Sequence, residues 1–119
     1  MCLILLLSED AVRGRAALSI ALAESARGKT VTLFAQERAV ALLAAAPRND
    51  DETTALAAAG LPDRRAMLAM AVESGVALIA CQTGLAITGL ALDDLVPGVS
   101  AGGLMGVLTE AEGQPKLTV

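Results

Sequence analysis

The chain is organised by short runs of apolar residues with no polar alternation. Cys2-Leu3-Ile4-Leu5-Leu6-Leu7, Val31-Thr32-Leu33-Phe34 and Val76-Ala77-Leu78-Ile79-Ala80 are each of strand length. A strand that is apolar at every position is covered on both faces, as in parallel sheets. Between these runs lie stretches of helical composition. The first is predicted from about Ala11 to Arg27, after turn and N-cap candidates Ser8, Glu9 and Asp10, with Gly28 as its stop. Its expected inward positions are Val12, Ala16, Leu18, Ala21, Leu22 and Ala26. A second helix is expected over Glu37 to Ala46, stopped by Pro47, then a short one over Thr53 to Ala59 closed by Gly60. Asp63 is a good N-cap for a helix from Arg64 to Ser74 with Gly75 behind it. After the third strand, Gln82-Thr83-Gly84 turns into a short helical stretch, with Thr83 a candidate N-cap. Val99-Ser100 reads as a stub of fourth strand, Gly102-Gly103 opens a helix through about Glu110, and Lys116 to Val119 reads as a last strand.

Strand and helix alternating in this way predict an α/β fold, a three-layer α/β/α sandwich on a mostly parallel sheet of about five strands. The 119 residues suit one domain, residues 1–119, with no repeat or linker. Composition refines the picture in one respect. Hydrophobic residues make up 55%, but Phe34 is the only aromatic, so the core is built from Ala, Leu, Val and Ile. Small apolar residues in such excess favour burial of helix faces between subunits, and a homo-oligomer is expected.

Charge and missing residue types narrow the chemistry. The net charge is −4, and beyond Arg65 the only basic residue is Lys116, so no basic surface exists there for a nucleic acid. The absence of histidine excludes Ser-His and Cys-His pairs, imidazole acid/base catalysis and His-ligated zinc. Two cysteines are too few for a disulfide framework or a cysteine-based metal site, and no metal or cofactor is expected. The chain reads as cytoplasmic. The uncharged run from Ser74 to Leu92 approaches bilayer length, but Gln82, Thr83 and three glycines segment it as strand, turn and helix rather than a membrane span.

Familiar α/β signatures are missing. No G-x-G-x-x-G follows the first strand and no G-x-x-x-x-G-K-[ST] occurs anywhere. Glu9 and Asp10 match the first acids of a phosphoacceptor site, but Cys81 stands where its aspartate belongs, so they read as the acidic start of a helix. Cys81-Gln-Thr-Gly has no second cysteine for a dithiol cycle, and no Arg follows for a phosphatase loop. Peroxide reduction lacks a resolving thiol. Cys2 opens strand one while Cys81 closes strand three, some ~20 Å apart along parallel strands, against the ~7 Å a disulfide tolerates.

What remains is Cys81 itself, at the carboxyl edge of the sheet where open α/β folds bind ligands. Free N–H groups at a helix start favour a thiolate. A thiol without a general base is suited to exchange at sulfur, since accepting and releasing sulfane sulfur needs no histidine. A buried packing cysteine is the plainer account.

The residues Val76-Ala-Leu-Ile-Ala-Cys81-Gln-Thr-Gly-Leu, then Gly89-Leu-Ala-Leu-Asp-Asp-Leu-Val-Pro-Gly98-Val and Ala101-Gly-Gly, resemble the DsrE/DsrF-like family. So do the helix Ala17 to Ala23 and the stretch Gly28-Lys-Thr-Val-Thr-Leu-Phe34. The resemblance implies a parallel-sheet fold, a trimer or hexamer, and sulfur held as a persulfide on the residue matching Cys81. The chain would then be a sulfur carrier or sulfurtransferase, exchanging sulfur with donor and acceptor proteins or small thiols. The alternative is a non-catalytic oligomeric binding or assembly module of the same fold. Candidate substrate contacts are Gln82, Thr83, Gly102, Gly103 and Ser8. Backbone N–H groups of the glycine pair suit an anionic sulfur tail, though close packing or a tight turn explains them as well. Arg13, Arg15 and Arg38 offer positive charge but read first as solvated surface residues, and the acidic loop Asn49 to Glu52 as solvent-facing.

Overall fold

The computed structural model describes residues 1–119; the first three strands fall on the three apolar runs, while the fourth, expected over Val99-Ser100, runs on through Gly102, which therefore does not open the next helix. The strands are β1 (Cys2–Leu6), β2 (Val31–Ala35), β3 (Ala77–Cys81), β4 (Ser100–Gly102) and β5 (Lys116–Thr118). All pairings are parallel, in the order β4-β3-β2-β1-β5. The α-helices are α1 (Ala11–Ala26), α2 (Thr53–Ala58), α3 (Arg64–Glu73), α4 (Gln82–Thr88) and α5 (Leu104–Glu110). From β1 to β4 the chain steps across the sheet in one direction, so right-handed crossovers put α1, α3 and α4 on one face. The connection from β4 to β5 returns over the full width of the sheet and carries α5 on the opposite face. This is the expected α/β sandwich with five strands.

Local chemistry accounts for the helix limits. The Asp10 carboxylate accepts from the Arg13 N–H at 3.0 Å and caps α1, and Asp63 does the same for α3 through the Ala66 N–H at 2.9 Å. Gly60 and Gly75, just beyond the ends of α2 and α3, have φ of +72° and +85°, which only glycine adopts at little cost. The helix expected over Glu37 to Ala46 is instead a 3₁₀ segment, Glu37–Leu43. Its far end is drawn off by pairing: Ala44 bridges Leu95, and the Val96 N–H bonds the Leu43 carbonyl at 3.0 Å. Tertiary pairing thus overrides an alanine-rich helical composition.

The inward face of α1 also differs from expectation. Gly14, Ala17, Leu18 and Ala21 are buried, whereas Val12, Ala16 and Ala26 are exposed. Gly14 meets Leu42, whose Cδ1 would lie 2.6 Å from a Cβ at that position. The register levels Ile4 with Leu33 and Leu78, and Leu5 with Phe34 and Ile79. Leu6 and Leu33 share a cavity with residues of α1 and α3, so the alternate set Leu5, Phe34 and Ile79 points to the α5 side. Val107 of α5 and Ala111 just beyond its end are buried there, and Phe34, the single aromatic, is fully buried.

Candidate functional site

Cys81 is both the last residue of β3 and the N-cap of α4. The strand runs directly into the helix, so no separate turn exists and Thr83 is not the cap. With φ −62° and ψ 131°, Cys81 remains extended while Gln82 begins the helix. Strand alternation places Cys81 on the face of Ile79, toward α5. It is 7% exposed, with a free thiol.

A close approach seats α4. A Cβ on Gly84 would run into the Glu37 carbonyl oxygen and Val40 Cγ2, so only glycine lets this helix lie against the 3₁₀ segment. Glu37 itself has φ +56°, a strained conformation for a residue with a side chain. The Thr88 hydroxyl donates to the Gly84 carbonyl at 2.7 Å, and Gly89 closes the helix with φ +70°. Strain and a bare backbone contact therefore meet one turn from Cys81.

The other expected site residues divide by strand. Gly102 is the direct partner of Cys81 in the sheet. A Cβ there would stand 2.9 Å from Ile79 Cγ2, so packing on the cysteine's own face requires the glycine. Gly103, the N-cap of α5, has nothing within 4 Å of a built Cβ, and packing does not explain it. Gln82 and Thr83 are exposed at the start of α4. Ser8 is not brought beside the cysteine. It follows β1, two strands from β3 or ~10 Å across the sheet, and its hydroxyl accepts from the Asp10 N–H at 3.0 Å. Cys2 is level with Val31, five residues back along the strands from the level of Cys81, or ~17 Å, and is likewise a free thiol.

The charged residues correct one expectation outright. The loop before α2 is not wholly solvent-facing, because Asp51 is buried and paired with buried Arg64 at 2.7 Å. All five N–H groups of the guanidinium are used. Two go to Asp51, and the others to the carbonyls of Leu42, Ala44 and Ala46 at 2.7 to 2.9 Å. Burial pushes the Asp51 carboxyl up, but Arg64 and the Arg48 N–H outweigh it and hold it below the usual range. This cluster pins the loop and leaves no donor for a ligand. Arg13 and Arg38 are exposed, while Arg15 is partly buried and bonds the Pro62 carbonyl at 2.7 Å. No group of three or more His, Cys, Asp or Glu is placed to hold a metal ion, and no helix is long and apolar enough to cross a membrane.

With the fold and the cysteine placed, comparison with known proteins gives a family. The model of the DsrE/DsrF-like family matches residues 2–111, which include every strand but β5. The chain belongs to the DsrE/DsrF-like family. Solved structures agree in fold. The ychN protein from E. coli superposes with a TM-score of 0.73 at 18% identity, over 99% of this chain and 97% of that one. Protein MTH1491 from Methanobacterium thermoautotrophicum, of unknown function, gives 0.70 at 19% identity, over 99% and 97%. Protein BT1422 from Bacteroides thetaiotaomicron, also of unknown function, gives 0.66 at 21%, over 99% and 94%. At these identities the likeness is one of fold. No curated protein matches the sequence.

Proposed function

We propose that this DsrE/DsrF-like protein carries sulfane sulfur as a persulfide on Cys81 and delivers it to a partner thiol in the cytoplasm. The observation that carries the reading is a free cysteine at the strand-to-helix junction of β3 and α4, inside the family match. In the first step the Cys81 thiolate attacks the outer sulfur of a donor. A sulfur–sulfur bond forms to Cys81 as the donor's own bond to that sulfur breaks, and the donor leaves as an anion. In the second, an acceptor thiolate attacks the outer sulfur of the persulfide and Cys81 leaves as thiolate. Neither step changes the overall oxidation level, and neither needs an imidazole. Gln82 and Thr83, exposed at the start of α4, and Gly103, next to the strand partner of Cys81, are the residues a donor or acceptor would meet in this reading.

The partners in this reading are sulfur-donor and sulfur-acceptor proteins or small thiols, and further copies of this chain in a trimer or hexamer. Support for self-association comes from α5, which exposes Leu104, Met105 and Leu108 and is the lone helix on its face of the sheet. Intact mass after incubation with a sulfane-sulfur donor tests the proposal. The wild type should gain one sulfur atom and Cys81→Ser none. No gain from several donors that load a known carrier in parallel would refute it.

One observation favours a second reading, a non-catalytic assembly module: at 7% exposure Cys81 resembles a packing residue. An alkylation rate at pH 7 no faster than that of an unfolded-chain cysteine would select the module.

A further inference from the structure

A partly open cavity of about 80 Å³ lies on the other side of the sheet from Cys81, and Cys81 does not line it. Its walls are the side chains of Leu6, Leu18, Leu33, Leu42, Leu43 and Leu68. Val12 stands at the mouth, 76% exposed although it lines the cavity. The loop Arg48 to Glu52 forms one rim and is held down twice. Arg64 grips Asp51, and Arg48 Nη2 reaches the Glu9 carbonyl at 3.3 Å while its Nε pairs with Asp50. The cavity is thus part of a fixed frame rather than a gap beneath a loose loop.

Charge around the opening identifies what it would take. Asp50 and Asp51 are neutralised by Arg48 and Arg64. Arg15 and Glu52 also line the cavity, and neither is in an ion pair. Arg15 spends one N–H on the Pro62 carbonyl, and the Glu52 side chain makes no capping bond to α2. An apolar cavity thus opens between one free cation, on α1, and one free anion, at the start of α2. A purely cationic or anionic ligand would satisfy one and oppose the other, whereas a zwitterion satisfies both. An engineered cavity of about 150 Å³ in another protein holds benzene, so this volume suits an aliphatic group of about three or four carbons.

We propose that the cavity binds a free aliphatic α-amino acid of valine or leucine size. The side chain enters the cavity, the carboxylate meets Arg15 and the ammonium meets Glu52. This site is independent of sulfur chemistry at Cys81.

Isothermal titration calorimetry tests it with leucine and valine, against leucinamide, which lacks the carboxylate, N-acetylleucine, which lacks the ammonium, and benzene. Leucine or valine should bind wild type and Cys81→Ser alike, and each blocked analogue should bind about two- to fivefold more weakly, the loss of one solvent-facing charge pair. Glu52→Gln, at an exposed position, and Arg15→Gln should each weaken leucine by a similar factor. Absence of amino-acid binding up to about 10 mM would overturn the proposal. So would equal binding of leucine, leucinamide and benzene, which marks apolar filling of the cavity with neither charge recognised. A loss in Glu52→Gln alone supports the site even if Arg15→Gln does not fold.

Discussion

Removing the Arg64 guanidinium should be among the most destabilising single changes available in this chain. Arg64→Met keeps most of the stem and deletes five hydrogen bonds at once. The Asp51 side chain, 4% exposed, is left with the Arg48 N–H at 2.8 Å as its remaining partner. Breaking a buried pair by removing one member costs about 3–5 kcal/mol. The carbonyls of Ala44 and Ala46 are only part-buried and can turn to water, so their loss adds little. A cost of about 4 kcal/mol is a large share of the roughly 5–15 kcal/mol that stabilises a domain of this kind. With no Trp or Tyr in the chain, urea unfolding is followed by far-UV circular dichroism. The double variant Arg64→Met/Asp51→Leu removes both charges and should be at least about 2 kcal/mol more stable than the sum of the single costs predicts. A single cost below about 1 kcal/mol, or strict additivity, would show that Arg64 and Asp51 are not an energetically coupled buried pair.

The same pair predicts an acid limb. The Asp51 carboxyl titrates lower when folded than when unfolded, so its contribution is complete above the unfolded value of about 3.9 and is lost as pH falls through the lower folded value. Stability of the wild type should fall more steeply below about pH 4 than that of Asp51→Asn, read from urea midpoints across pH. Gly84→Ala should cost about 1–3 kcal/mol, because its methyl meets backbone at Glu37, while Gly106→Ala, with open space around it, should be neutral or stabilising by up to about 1 kcal/mol. Asp63→Ala removes the cap of α3 and should lower stability by about 0.5–2 kcal/mol, seen as a lower thermal midpoint. Mild oxidation should leave Cys2 and Cys81 unlinked within one chain, checked by non-reducing peptide mapping.

The sheet was legible because unbroken apolar runs have one economical explanation, strands covered on both faces. The phase of α1 was not. Alanine occupies so many of its positions that hydrophobic periodicity hardly distinguishes one face from another, and the deciding contact, Gly14 on Leu42, is tertiary. The start of α4 was misplaced for a local reason. A strand ending in an extended residue can cap the next helix itself, so Thr83 had nothing to cap. The Arg64–Asp51 clasp was missed because a charged residue in a polar loop looks the same whether solvated or buried. One signal did exist: Arg64 opens a helix whose positive dipole end disfavours a cation, which calls for a partner elsewhere in the fold. Gly84 and Gly102 likewise carried their meaning only in three dimensions, as points where α4 and β4 come close to neighbouring elements. Cys81 was placed correctly at the sheet's edge, but its 7% exposure depends on surrounding atoms that no local pattern encodes.

Cys81 is one of two free cysteines in the chain, and Cys2 supplies the control. Wild-type protein is loaded with an isotopically labelled sulfane-sulfur donor, trapped, digested, and the label located by tandem mass spectrometry on the peptides holding Cys2 and Cys81. A persulfide relay at Cys81 puts labelled sulfur on Cys81, releases it to an added thiol and leaves Cys2 unlabelled. Label on neither peptide, or equal label on both, would contradict it.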